Sequence, residues 1–229
     1  SGVMVALTTA VPPAGTVTLG LANFTVAAPA KCGCENAAGA LRTLERHAQA
    51  LDYYERAAAM YQSLSLTADE ATAVRGVARS LKALERKTEA VARYQAAIEL
   101  FEKSGDDAGL RSVLPDLGAL QRELEDEPAA STALARAVEL HRAAGDDAAL
   151  SRDLSQLGLS LMAQGRKEEA LSVFTAAVEL DVSRADPKGE AFDRRKVGAL
   201  LGQLARYDEA LLQLGQALEL ARGLDDQDQ

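Results

Sequence analysis

From about Glu35 onward, apolar positions recur at the helical period. Leu41, Leu44, Leu51, Tyr54, Ala58 and Tyr61 fall at spacings of three, four and seven, which lays an apolar stripe along a helix face. A break near Arg46–His47 marks a turn inside that stripe. The same rhythm predicts helix pairs at about 69–85 and 88–103, 108–125 and 128–143, 148–164 and 167–182, and 188–204 and 207–222. Thr67 and Asp69 offer N-caps to the first of these helices, and Gly105 is placed to end the second. The connection within each pair is only a few residues, so the partners run antiparallel.

On this rhythm sits a period of forty that never slips. Ala50, Ala90, Ala130, Ala170 and Ala210 coincide, as do Ala57, Ala97, Ala137, Ala177 and Ala217. The bulky slot between them reads Tyr54, Tyr94, Leu134, Phe174 and Leu214, and a terminal slot reads Met60, Leu100, Leu140, Leu180 and Leu220. Periods of this size predict a stacked array in which no single unit is stable alone. Gly158 and Ala170 lack bulk where two helices cross, and Phe174 fills the space beside them.

The pattern resembles the tetratricopeptide repeat in its longer, forty-residue form, found within bacterial signalling and regulatory proteins. Leu117-Gly118, Leu157-Gly158 and Val197-Gly198 lead to Ala130, Ala170 and Ala210, then to Leu134, Phe174 and Leu214, then to Ala137, Ala177 and Ala217. The resemblance covers about residues 36–224. The family's early Trp slot holds Val74, Leu114, Leu154 and Arg194, its terminal Pro is absent, and Ala38 and Ala78 stand in the Gly slot of the first two copies. It implies an all-α, right-handed solenoid of about five helix hairpins over residues 35–224, after an extended or strand-like arm at 1–34 and before an acidic tail at 225–229. The first hairpin is expected to be a worn cap with a short first helix.

The arm differs in kind. Val3–Leu7 and Thr16–Val26 are rich in Val, Thr and Leu, and Pro12-Pro13-Ala14-Gly15 supplies a turn between two extended segments. Two strands alone are marginal in water. The arm is therefore expected to dock on the array or a partner, or to stay irregular. Asn23-Phe24-Thr25 is a glycosylation sequon without a secretory signal: Ala28-Pro29-Ala30 resembles a cleavage site, but the stretch before it is broken and lacks a basic start. No apolar run is long enough to span a membrane, and a cytoplasmic location is expected. Aromatics make up 4 % of the chain and Trp is absent, which suits closely packed helices. The formal charge of −9 argues against a nucleic-acid partner.

Candidate chemistry is sparse. Gly105-Asp106-Asp107-Ala108 and Gly145-Asp146-Asp147-Ala148 recur between hairpins, with Asp186 and Asp226 in register, and read as C-cap followed by N-cap rather than as calcium ligands. His47 shares its slot with Lys87, Glu127, Lys167 and Tyr207, and His141 shares its own with Phe101, Asp181 and Ala221. Slots that accept such variety are read as solvated, so no nucleophile–base set is assembled and no enzyme or cofactor is expected. Cys32-Gly33-Cys34 is the one reactive-looking motif, a weak metal or redox candidate that lacks further Cys ligands. Pro115, inside a predicted first helix, should kink it or delay its start.

The resemblance also implies a concave groove lined by first-helix positions. These map to Thr72, Arg75, Arg79 and Lys82; Ser112, Pro115, Ala119 and Arg122; Arg152, Ser155, Leu159 and Met162; and Phe192, Arg195, Ala199 and Gly202. The set holds no acidic member, although Asp116 and Glu123 lie close by. A positive groove on an acidic body would steer an acidic segment into place. The asparagines of the family's carboxylate clamp are absent, so that ligand mode is not expected. Two readings follow: a scaffold that holds a peptide or protein partner, or a sensor module of a larger bacterial signalling protein with a small ligand or the arm in its groove. The helix at 210–220 is apolar around much of its surface, which points to further repeats, a second subunit or the N-terminal arm at that end.

Overall fold

The structure, a computed structural model, describes residues 33–227. The expected strands of the arm, the sequon, the cleavage-like triplet and Cys32 lie outside the described residues. Among those described, every regular element is a helix. Five hairpins follow in order: α1 (Gly33–Thr43) with α2 (His47–Ser63), α3 (Thr67–Ala83) with α4 (Lys87–Ser104), α5 (Asp107–Glu123) with α6 (Glu127–Ala144), α7 (Asp147–Ala163) with α8 (Lys167–Ser183), and α9 (Pro187–Gln203) with α10 (Tyr207–Gln227). Each helix packs on its neighbours in sequence, as an α-solenoid requires.

The backbone repeats at twenty residues, half the sequence period. Glu45, Ser65, Glu85, Gly105, Glu125, Gly145, Gly165, Ala185 and Ala205 all have φ between 52° and 74°. After each, a backbone N–H reaches back five residues, as Arg86 N does to Leu81 O at 3.0 Å and Asp186 N to Asp181 O at 2.9 Å. Both members of a hairpin thus end in the same Schellman turn. Asp106, Asp126, Asp146 and Asp186 then cap the next helix, accepting from the N–H three residues on. Thr67 does not cap: α3 starts from Leu66 with no side-chain cap.

The predicted small–bulky contacts form. Ala50, Ala90, Ala130 and Ala170 are fully buried, as are Ala57, Ala97, Ala137 and Ala177. A Cβ added at Gly118 would lie 2.6 Å from Leu134 Cγ, and one at Gly158 would lie 2.7 Å from the Phe174 ring. Only glycine lets those axes approach so closely. Pro115 neither delays nor shortens α5, which has the same 17 residues as α3, α7 and α9. Eight residues into the helix, the proline removes one backbone donor from its middle and leaves the first turn unaffected.

Candidate functional site: the inner layer of first helices

The odd-numbered helices touch one another along the array, α1 to α3 and onward to α9, whereas the even-numbered ones do not. They form an inner layer, and every residue expected to line the groove lies on it. Its N-terminal half is not the open basic surface expected. Arg75 donates to Ser112, and Arg79 places Nε and Nη2 at 2.8 and 2.7 Å from one oxygen of Asp116. Lys82 Nζ lies 2.6 Å from Glu123 Oε1. The three basic side chains of α3 are therefore bound by α5, whose acids stand one residue after the groove slots at 115 and 122. Burial, then the neighbouring Arg79, lowers the Arg75 pKa from the ordinary arginine value. Arg122 continues the ladder, donating to Gln156 of α7 and standing 3.7 Å from Glu127.

The C-terminal half keeps more of its binding capacity. On α7, Arg152 bonds only to its own helix, to Ala148 O at 3.2 Å, as Thr72 does in the N-terminal half, to Ala68 O at 3.1 Å. Ser155 donates to Asp193 at 2.7 Å. Leu159, Met162 and Phe192 are half-buried on the second apolar cluster, each with a face left to solvent. The Arg195 guanidinium sits 5.8 Å and Lys196 Nζ 5.3 Å from the centre of the Phe192 ring. Arg152 and Arg195 are exposed, and neither has an ion-pair partner among the described residues.

Residues 154–181 match the family model of the tetratricopeptide repeat. The array has the fold of a tetratricopeptide-repeat solenoid. Similar solved structures include BtubC from P. vanneervenii, 14 % identical with a TM-score of 0.72, covering 84 % of this chain and 80 % of that one. A MamA fragment from Desulfovibrio magneticus RS-1 is 18 % identical, with a TM-score of 0.64 over 86 % of this chain and 99 % of that one. YrrB, described as a TPR protein with an unusual peptide-binding site, is 24 % identical, with a TM-score of 0.62 over 83 % of this chain and 86 % of that one. No curated protein matches the chain.

Within this array, the slot of His141, read as variable, and a second slot facing it form the dry seam between hairpins. One holds Tyr61, Phe101, His141 and Asp181, all buried; the other holds Ala73, Val113, Asp153 and Asp193, also buried. The solvated reading of His141 is thus corrected: its slot faces the first turns of the following helix. The α4–α5 seam is apolar, Phe101 with Val113. In the α6–α7 seam His141 Nδ1 lies 2.7 Å from Asp153 Oδ2. The α8–α9 seam sets Asp181 with Asp193, with Ser151 donating to the first and Ser155 to the second. Arg184 Nη1 reaches Asp181 at 3.1 Å. Burial raises the Asp153 and Asp181 pKa values despite these bonds, and burial with the nearby Asp181 pushes Asp193 up to about 7. The forty-residue register, which sets Asp153 and Asp193 beneath Val113 and Ala73, is the signal that would have exposed these pairs.

His47 is half-buried, with an unpartnered, buried Nδ1. Cys34 stands in α1 rather than in an arm and packs against Ala57, Tyr61 and Ala73. Among the described residues, no group of three or more His, Cys, Asp or Glu is placed to hold a metal ion. Nor is any described helix long and apolar enough to cross a membrane.

Proposed function

We propose that the protein is an interaction scaffold that holds a peptide or protein segment along its inner layer, chiefly over α7 and α9. The observation that carries this is the half-buried row Leu159, Met162 and Phe192 beside the exposed guanidinium groups of Arg152 and Arg195. Such a row takes apolar side chains, and Arg195 adds a donor for a backbone carbonyl or a carboxylate. The α3–α5 portion contributes a shaped, charge-paired wall rather than attraction, because Arg79 and Lys82 are bound by Asp116 and Glu123. Likeness in fold to a peptide-binding repeat protein supports the reading. A cytoplasmic setting is part of the proposal.

The test is photo-crosslinking from position 159 in the native source, followed by identification of the captured chain. Phe192→Ala and Met162→Glu should abolish capture while helicity is retained and melting, though lowered, stays well above the assay temperature. Capture that survives both, or a crosslink formed equally well from the outer face at position 95, would refute groove recognition.

A further inference from the structure

Half of the large apolar side chains exposed among the described residues sit on one helix. Tyr207, Leu211, Leu212, Leu214 and Leu218 belong to α10, whereas Leu44, Leu64, Leu66, Leu124 and Val182 are scattered at helix ends. Tyr207, Leu211, Leu214, Leu218 and Ala221 follow at spacings of four, three, four and three, a continuous stripe about 21 Å long at 1.5 Å per residue. The array covers this face everywhere else: Leu218 is 51 % exposed, but Val138 and Val178 in the same slot are 5 % and 6 % exposed.

Some of the seams that receive a following first helix carry polar anchors. At the Tyr207 slot, Lys87 pairs with Glu123 of α5 at 3.4 Å, and Glu127 accepts from Ser160 of α7. At the Ala221 slot, His141 pairs with Asp153. α10 carries neither, as α8 lacks the first at Lys167 and α4 the second at Phe101, so its face is apolar throughout.

What the stripe matches is itself. Turned antiparallel about a two-fold axis between Leu214 and Gly215, it sets Leu211 of one copy against Leu218 of the other, and Tyr207 beside the small Ala221. The flanking row reads Asp208, Gly215 and Arg222, all exposed. Under the same axis Asp208 meets Arg222 twice, and the two Gly215 residues meet where the helices cross. A Cβ at Gly215 has nothing within 4 Å in one copy, so the glycine leaves room for the second. Size, charge and backbone clearance agree on one operator. We infer that α10 is a homodimer interface, an antiparallel α10–α10 pairing between two copies of this chain.

Sedimentation velocity across a concentration series tests it on the full chain. The wild type should move as a dimer, and Leu218→Glu as a monomer with unchanged helicity, since that side chain is exposed. Asp208→Arg and Arg222→Asp should each weaken dimerisation by roughly five- to tenfold, and the double reversal should restore it to within about threefold. A wild type that stays monomeric at every concentration overturns the proposal. So does a dimer that Leu218→Glu leaves intact, or a charge swap that fails to restore association.

Discussion

Asp193 of α9 is set with Asp181 of α8 in the seam between the fourth and fifth hairpins, both carboxyl groups sealed from water. Burial and the neighbouring acid hold the Asp193 proton up to about pH 7. In the unfolded chain an aspartate ionises near 3.9, so the folded state binds the extra proton between those values. Stability from this group is full below the unfolded value and is lost as pH rises through 7. The charges facing the pair are Asp186, which adds to the repulsion, and Arg184, which opposes it; Ser151 and Ser155 are neutral. Melting followed from pH 5.5 to 8.5 should therefore fall up to about pH 7 and level off above it. Asp193→Asn should flatten the profile and, at pH 8, melt about 3–6 °C above the wild type. A wild type whose melting temperature is level or rising up to pH 7 would contradict the assignment.

That seam also shows what the chain's letters conceal. Helices, hairpins and the alanine–aromatic contacts were legible because they rest on side-chain size, which recurs at fixed spacing: Gly158 under Phe174 repeats Gly118 under Leu134. Asp181 and His141 were misread because a variable slot passes for a tolerant one. Each is matched instead to a partner twelve residues on, and the variation is paired: Phe101 with Val113, His141 with Asp153, Asp181 with Asp193. The groove was misjudged in the same way. Arg79 and Asp116 stand 37 positions apart, three short of the period, so an alignment of equivalent slots does not bring them together.

The twenty-residue turns give a stabilising prediction. Ala185 and Ala205 hold φ of 52° and 58°, a region that costs a residue with a Cβ about 1–2 kcal/mol. Glycine relieves that cost but loses more freedom on folding, which leaves a net gain of about 0.5–1 kcal/mol. Ala205→Gly should raise the unfolding free energy by that amount, read as a higher urea midpoint, and Gly165→Ala, at φ 74°, should lower it. Equal midpoints for both would show that the turns do not carry the strain.

Close approach of α7 and α8 predicts the reverse sign. A methyl at Gly158 would stand 2.7 Å from Phe174, a side chain with no exposed surface into which to retreat. Gly158→Leu should cost about 1–3 kcal/mol by urea unfolding. Pairing Gly158→Ala with Phe174→Leu, which copies the bulky residue at 134 over a slot with one more carbon, should recover part of the loss of Gly158→Ala alone. No recovery would mean that the clash lies elsewhere.

The sharpest trial of the paired seams is to convert one into another. Removing one partner of His141–Asp153 strands a buried polar group, so His141→Ala or Asp153→Ala should destabilise by about 3–5 kcal/mol. Replacing both with their apolar equivalents, His141→Phe and Asp153→Val, copies Phe101 and Val113. That copy is incomplete, because Phe101 packs directly on Gly109, where a Cβ would collide with its ring, and the equivalent position here is Ala149. The double variant should therefore remain strained, and adding Ala149→Gly should bring stability back to the wild-type level or above it. Equilibrium unfolding of the single, double and triple variants decides the matter. If the double variant is already as stable as the triple, the glycine at 109 is incidental, and the seam is set by polarity alone rather than by polarity and shape together.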